Sequence, residues 1–89
     1  MVQNKRIFSS VLPQEDGMRG IPLVELLGQN RVLIENHLGV MAYSTEEICV
    51  RVKYGMLCVC GFDLQLTRMT KQQLLIAGCI QQIRLMGGR

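Results

Sequence analysis

The chain has 89 residues, 19% of them charged and 48% hydrophobic, with a formal net charge of +3. That length holds one domain, and that balance excludes an intrinsically disordered chain. The basic residues are scattered rather than clustered and the aromatics are only Phe8, Phe62, Tyr43 and Tyr54, so the basic stripe and stacking platform of a nucleic-acid binder are both missing.

Residues 1–20 read as a loosely ordered lead-in. Met1 to Leu12 lacks the apolar core of a secretion signal. Lys5 to Leu12 is long enough for one amphipathic turn but too short to hold a membrane alone. No apolar stretch approaches the roughly 20 residues of a membrane-spanning helix. The expectation is a protein kept in a cytoplasm, reaching a membrane only through a partner. Leu12-Pro13-Gln14-Glu15-Asp16-Gly17 carries turn chemistry, because Pro fixes φ and Gly accepts positive φ.

Strands then follow in short order. Leu23 to Leu27 is the first, Val32 to Glu35 the second and Val40 to Tyr43 the third, separated by Gly28-Gln29-Asn30 and Asn36-His37-Leu38-Gly39. Ile48 to Lys53 alternates, with Ile48, Val50 and Val52 on one face and Cys49, Arg51 and Lys53 on the other. Tyr54-Gly55 makes a hairpin into Met56 to Cys60. Gly61 marks a bend or bulge, after which Phe62, Leu64 and Leu66 share a face. Met69 to Gln73 is polar. Thr70 to Ile80 can be read as a capped helix, but a strand over Leu74 to Ala77 is preferred. Gly78 marks a second bend, and Cys79 to Leu85 closes the domain with a bulge. Gly87-Gly88-Arg89 is a frayed end.

The strand reading of Leu74 to Ala77 rests on a repeat. Leu57-Cys58-Val59-Cys60-Gly61 and Leu74-Leu75-Ile76-Ala77-Gly78 have one pattern at a spacing of 17. Val40-Met41-Ala42 extends it weakly upstream, which opens a stacked or solenoidal arrangement. The sum is a single all-β domain over residues 21–86, of about eight short strands. It is a small antiparallel β-sandwich or sheet, with a small barrel as the alternative.

No catalytic group is placed by these patterns. His37 lies in a turn, where a polar surface residue or a local backbone bond is the ordinary role. Glu46 and Glu47 are adjacent on a strand and point apart. The glycines form no phosphate loop. Cys49, Cys58, Cys60 and Cys79 have no paired C-x-x-C knuckles for zinc. Without an export signal they are expected as reduced packing thiols. A disulfide between Cys58 and Cys60, two apart on one strand, is awkward. No metal and no cofactor is therefore expected. What remains is the sheet edge, which can pair with another chain, and the face bearing Cys49, Arg51 and Lys53, a candidate partner-binding surface. A non-enzymatic, self-associating or adaptor module is the leading expectation; a small β-barrel binding a ligand or nucleic acid is the alternative.

Gly28-Gln29-Asn30-Arg31-Val32-Leu33-Ile34-Glu35-Asn36-His37-Leu38-Gly39 resembles the start of the core pattern in the YabP/YqfC family of sporulation proteins. Gly55 to Gly61, Leu64-Gln65-Leu66 and Leu75 to Ile80 match in the same order. Leu12-Pro13 ahead of Ile21-Pro22-Leu23 is closer to the YqfC branch. The resemblance covers residues 12–86. It implies a role in spore morphogenesis, in cortex or coat assembly, in the mother cell and at the forespore membrane. It also implies a membrane partner of the YqfD type, and it carries over no catalytic residue. The four cysteines stand where the family commonly has aliphatic or polar residues, which fits packing groups.

Overall fold

A computed structural model describes residues 20–87. The lead-in before Gly20, with its Lys5 to Leu12 segment, and the last two residues lie outside that range. Six strands form one antiparallel sheet: β1 Leu23–Leu27, β2 Arg31–Glu35, β3 Val40–Tyr43, β4 Glu47–Val52, β5 Gly55–Met69 and β6 Gln73–Met86. Their spatial order is β1-β2-β6-β5-β4-β3. Alternation sets the inner face. Ile34 lies opposite Leu74 and Val32 opposite Ile76, while Ile48 lies opposite Val59 and Val50 opposite Leu57. All eight of these side chains are buried and, with Val52 and Leu64, form a single core. Among the described residues no helix covers this face. The core side chains of the β2–β6 half are buried against those of the β4–β5 half across a bend in the sheet.

That bend lies in the long β5–β6 hairpin. Gly61 is opposite Ile80 and Phe62 opposite Cys79, and the register shifts on either side of them. The two backbones come too close here for side chains. A Cβ on Gly61 would fall within the Cys79 carbonyl, and one on Gly78 would lie 2.6 Å from the Asp63 oxygen. Gly78 also takes a φ of 142°, which side chains disfavour. Bulging frees backbone donors, and the flanking hairpin loops satisfy them. The N–H groups of Gly61 and Leu64 donate to the carbonyls of Glu46 and Thr45, in the β3–β4 loop. On the other side Gly78 and Ile80 donate to Asn30 and Gln29, in the β1–β2 loop.

The expected eight strands are therefore six. Gly61 and Gly78 bend strands without ending them, so two expected pairs fuse into β5 and β6. There is one sheet where a sandwich needs two, and among the described residues β1 and β3 stay at its edges, so no barrel closes. The repeat spaced by 17 is two strands of one hairpin bending at the same place, not a solenoid. Phe62 and Leu64 do not share a face. Asp63 takes a φ of 53°, and the bulge turns Leu64 fully inward while Phe62 stays exposed. Thr70 caps no helix; its hydroxyl accepts from the N–H groups of Gln72 and Gln73 in the β5–β6 turn.

Of its two expected roles, His37 takes the local backbone bond and not a surface position. It is buried in the β2–β3 connection, where the Gly39 N–H donates to Nδ1 at 3.0 Å. Nε2 then carries the proton and donates to the Thr70 carbonyl at 2.8 Å. Both ring nitrogens are spent on backbone, which joins this connection to the β5–β6 turn and leaves none for proton transfer.

Two substitutions test these constraints by urea unfolding. Gly61→Ala must push the strands apart and should cost roughly 3 kcal/mol. His37→Ala removes two part-buried hydrogen bonds to backbone and should cost about 2 kcal/mol. Unchanged midpoints would contradict the close approach and the bridging role respectively.

Candidate docking surface

Alternation along β4 sends Cys49 and Arg51 to the outer face of the sheet, opposite the core. Ladder pairing extends that face into rows: Ala42, Cys49, Cys58 and Arg84 form one, and Arg51, Met56 and Met86 the next. β4 ends at Val52, so Lys53 lies in the hairpin turn rather than in the strand. Its ammonium stands 5.2 Å from the centre of the Tyr54 ring, within cation–π range.

The three expected partner-binding residues divide. Arg51 is exposed and Lys53 half-buried. Cys49 is buried and disulfide-bonded to Cys58. The expectation of reduced thiols fails for this pair because the two residues are directly opposite in the β4–β5 ladder, with Cα atoms 4.1 Å apart. Spacing alone drew attention to Cys58 and Cys60 on one strand; the cross-strand pair emerges only once the hairpin register is known. Cys60 and Cys79 are free thiols. The Cys60 thiol donates to the Glu47 carboxylate at 3.7 Å, and the same carboxylate oxygen pairs with the Arg84 guanidinium at 2.9 Å. Both partners of that ion pair are over 40% exposed, so it orients side chains more than it stabilises the fold. Glu47, Cys49 and Cys58 have donor atoms within 4.8 Å of one another. With the two sulfurs bonded together and the carboxylate held by Arg84, this set is committed to structure.

Beside Arg51 and Lys53 the surface holds an open hollow of about 530 Å³. Leu38, Met41, Met56 and Met86 supply its apolar lining. Leu38 and Met41 are 62% and 49% exposed, and with the methionines beside them they form a contiguous apolar patch, the kind of surface that marks an interaction site. Flexible, polarisable Met side chains suit a surface that adapts to a partner. Alternation found the cations but not the methionines, which come from three strands; the Met-rich composition was the available signal.

Among the described residues no helix is long and apolar enough to cross a membrane. A family model described as the YabP family matches residues 22–89. The chain is 26% identical over 69 residues to the uncharacterized protein YqfC of Bacillus subtilis (strain 168), covering 78% of this chain and 74% of that one. No solved structure matches it.

The disulfide spans nine residues. Replacing both Cys49 and Cys58 by alanine should lower stability by roughly 2–3 kcal/mol, through the loop entropy restored to the unfolded chain. Urea unfolding with and without a thiol reductant measures this. An unfolding midpoint insensitive to both the reductant and the substitutions would show that the bond does not constrain the chain.

Proposed function

The chain belongs to the YabP family, and from that premise we propose that it is a non-enzymatic assembly and adaptor module of spore morphogenesis, serving cortex or coat assembly. It works by contacts of the sheet face and the sheet edges, with further copies of itself and with a membrane protein of the YqfD type at the forespore. The mother-cell cytoplasm is its place of action.

The observation that supports this reading best is the methionine-lined hollow beside Arg51 and Lys53. An apolar depression with cations at its rim suits a segment that is apolar on one side and acidic on the other. Burial of the apolar side supplies affinity, and the rim cations set orientation and approach. The only histidine has both nitrogens bound to backbone, which supports a role without acid–base chemistry.

Arg51→Glu together with Lys53→Glu tests the face. The chain is co-expressed with the YqfD-type membrane protein of the same organism and recovered through a tag on that partner. Retention should fall about tenfold or more, the effect expected when rim attraction becomes repulsion, with the circular dichroism spectrum unchanged. Full retention by the folded double variant would remove this face from the proposal.

A further inference from the structure

The commitment of Glu47, Cys49 and Cys58 to structure lasts only while the disulfide does. We propose that, once the Cys49–Cys58 bond is reduced, the outer face of the β4–β5 hairpin binds one zinc ion through the thiolates of Cys49, Cys58 and Cys60 and the carboxylate of Glu47. Disulfide and metal are then two alternative closures of one hairpin, selected by redox state. The cytoplasmic placement proposed above, where thiols are kept reduced, bears on when the site fills and not on whether it exists.

The ladder register brings the four donors together. Glu47 lies opposite Cys60, and Cys49 opposite Cys58. Residues two apart on a strand share a face, and so do residues directly opposite each other. Glu47 and Cys49 on β4 therefore make a two-by-two block with Cys60 and Cys58 on β5. Cys79, the other free thiol, lies opposite Phe62 at the bend and is outside the block.

The distances suit a metal. The Cys60 sulfur is 3.7 Å from a Glu47 carboxylate oxygen. Donor atoms of Glu47, Cys49 and Cys58 lie within 4.8 Å of one another. Tetrahedral zinc, about 2.3 Å from sulfur and about 2.1 Å from oxygen, sets its ligand atoms roughly 3.5–4 Å apart. Breaking the S–S bond lets the two bonded sulfurs part to that spacing. Cys49 and Cys58 are buried, and Cys60 and Glu47 are half-buried. The inner sulfurs are thus shielded from water, and the ion enters over the Glu47–Cys60 pair.

The donor set selects the ion. Thiolates suit soft and borderline ions, and a carboxylate among them favours zinc over copper(I). Four anionic ligands outweigh the charge of the ion, and the Arg84 guanidinium, 2.9 Å from the Glu47 carboxylate, offsets part of the excess. A carboxylate has two oxygens, so Glu47 can hold Arg84 with one and the ion with the other. A partner that fixes a ligating group in this way strengthens metal binding. The chemistry balances: a dithiol reductant gives the disulfide two electrons and two protons and becomes a disulfide itself. Zinc then displaces the protons of the three thiols.

Zinc titration of the full chain tests this, in its oxidised form and after reduction with a dithiol that is removed under nitrogen. Bound zinc is counted by native mass spectrometry, and the sheet is followed by circular dichroism. Reduced wild type should bind one ion per chain and oxidised wild type none. Co2+ in place of zinc should give the sulfur-to-metal absorption of a tetrahedral thiolate site. Cys79→Ser should bind as wild type does. Cys60→Ser should bind roughly tenfold or more weakly, and the chain with both Cys49→Ala and Cys58→Ala should bind none. Zinc should raise the unfolding midpoint of the reduced protein, since it binds the folded hairpin. Reduced, folded wild type that takes up no zinc overturns the proposal, as does equal affinity in wild type and Cys60→Ser. Uptake that leaves the midpoint unmoved or lowers it also overturns it, because the ion then sits on the unfolded chain. If reduction alone unfolds the protein, zinc must restore the sheet spectrum, and failure to do so overturns the proposal equally.

Discussion

The close approach of two backbones at Gly61 and Gly78 is the constraint on which the rest of the domain depends. Without side chains at these positions, β5 and β6 bend together and remain hydrogen-bonded on both sides of the bend. The bend lets a sheet with no covering helix among the described residues bury its own inner face. It also decides where the shorter strands can pair. β4 reaches only the first part of β5, and β2 only the first part of β6. The β3–β4 and β1–β2 loops then close over the bulges and accept the donors the ladder releases. The two halves are built alike, and each ends in a short apolar strand with no neighbour among the described residues.

Much of this is legible in the sequence, for local reasons. β1 and β3 begin and end where alternation and turn residues place them, because β1 is bounded by Pro22 and Gly28 and β3 by Gly39 and Ser44, residues that break a strand pattern. The inward set Ile48, Val50 and Val52 follows from period two alone. The two bend glycines stand out because their flanking apolar patterns match. Their consequence does not, because a glycine that ends a strand and a glycine that lets a strand bend against a neighbour have the same local signature. The difference is a contact with Cys79 or Asp63, far along the chain. Leu64 turns inward for the same reason, since a one-residue bulge at Asp63 shifts the phase of everything after it.

The candidate surface shows the same limit. Alternation identifies Arg51 as outward, and it groups Cys49 and Lys53 with it. Cys49 is lost to the disulfide because Cys58 sits directly across the ladder. Lys53 slips into the turn because β4 stops one residue earlier. The methionines that give the surface its character come from β3, β5 and β6, and the pairing register brings them together. What holds a strand in place is readable from its neighbours in sequence; what a surface offers a partner depends on neighbours in space.

Amide hydrogen exchange followed over a range of protein concentrations tests most directly the claim that the two outer strands are joining surfaces. Backbone groups in the middle of the sheet should exchange slowly at every concentration. Those of β1 and β3 should exchange rapidly in dilute solution and become protected together as concentration rises. Exchange at β1 and β3 that does not change with concentration, at concentrations up to the millimolar range, would contradict assembly through these edges.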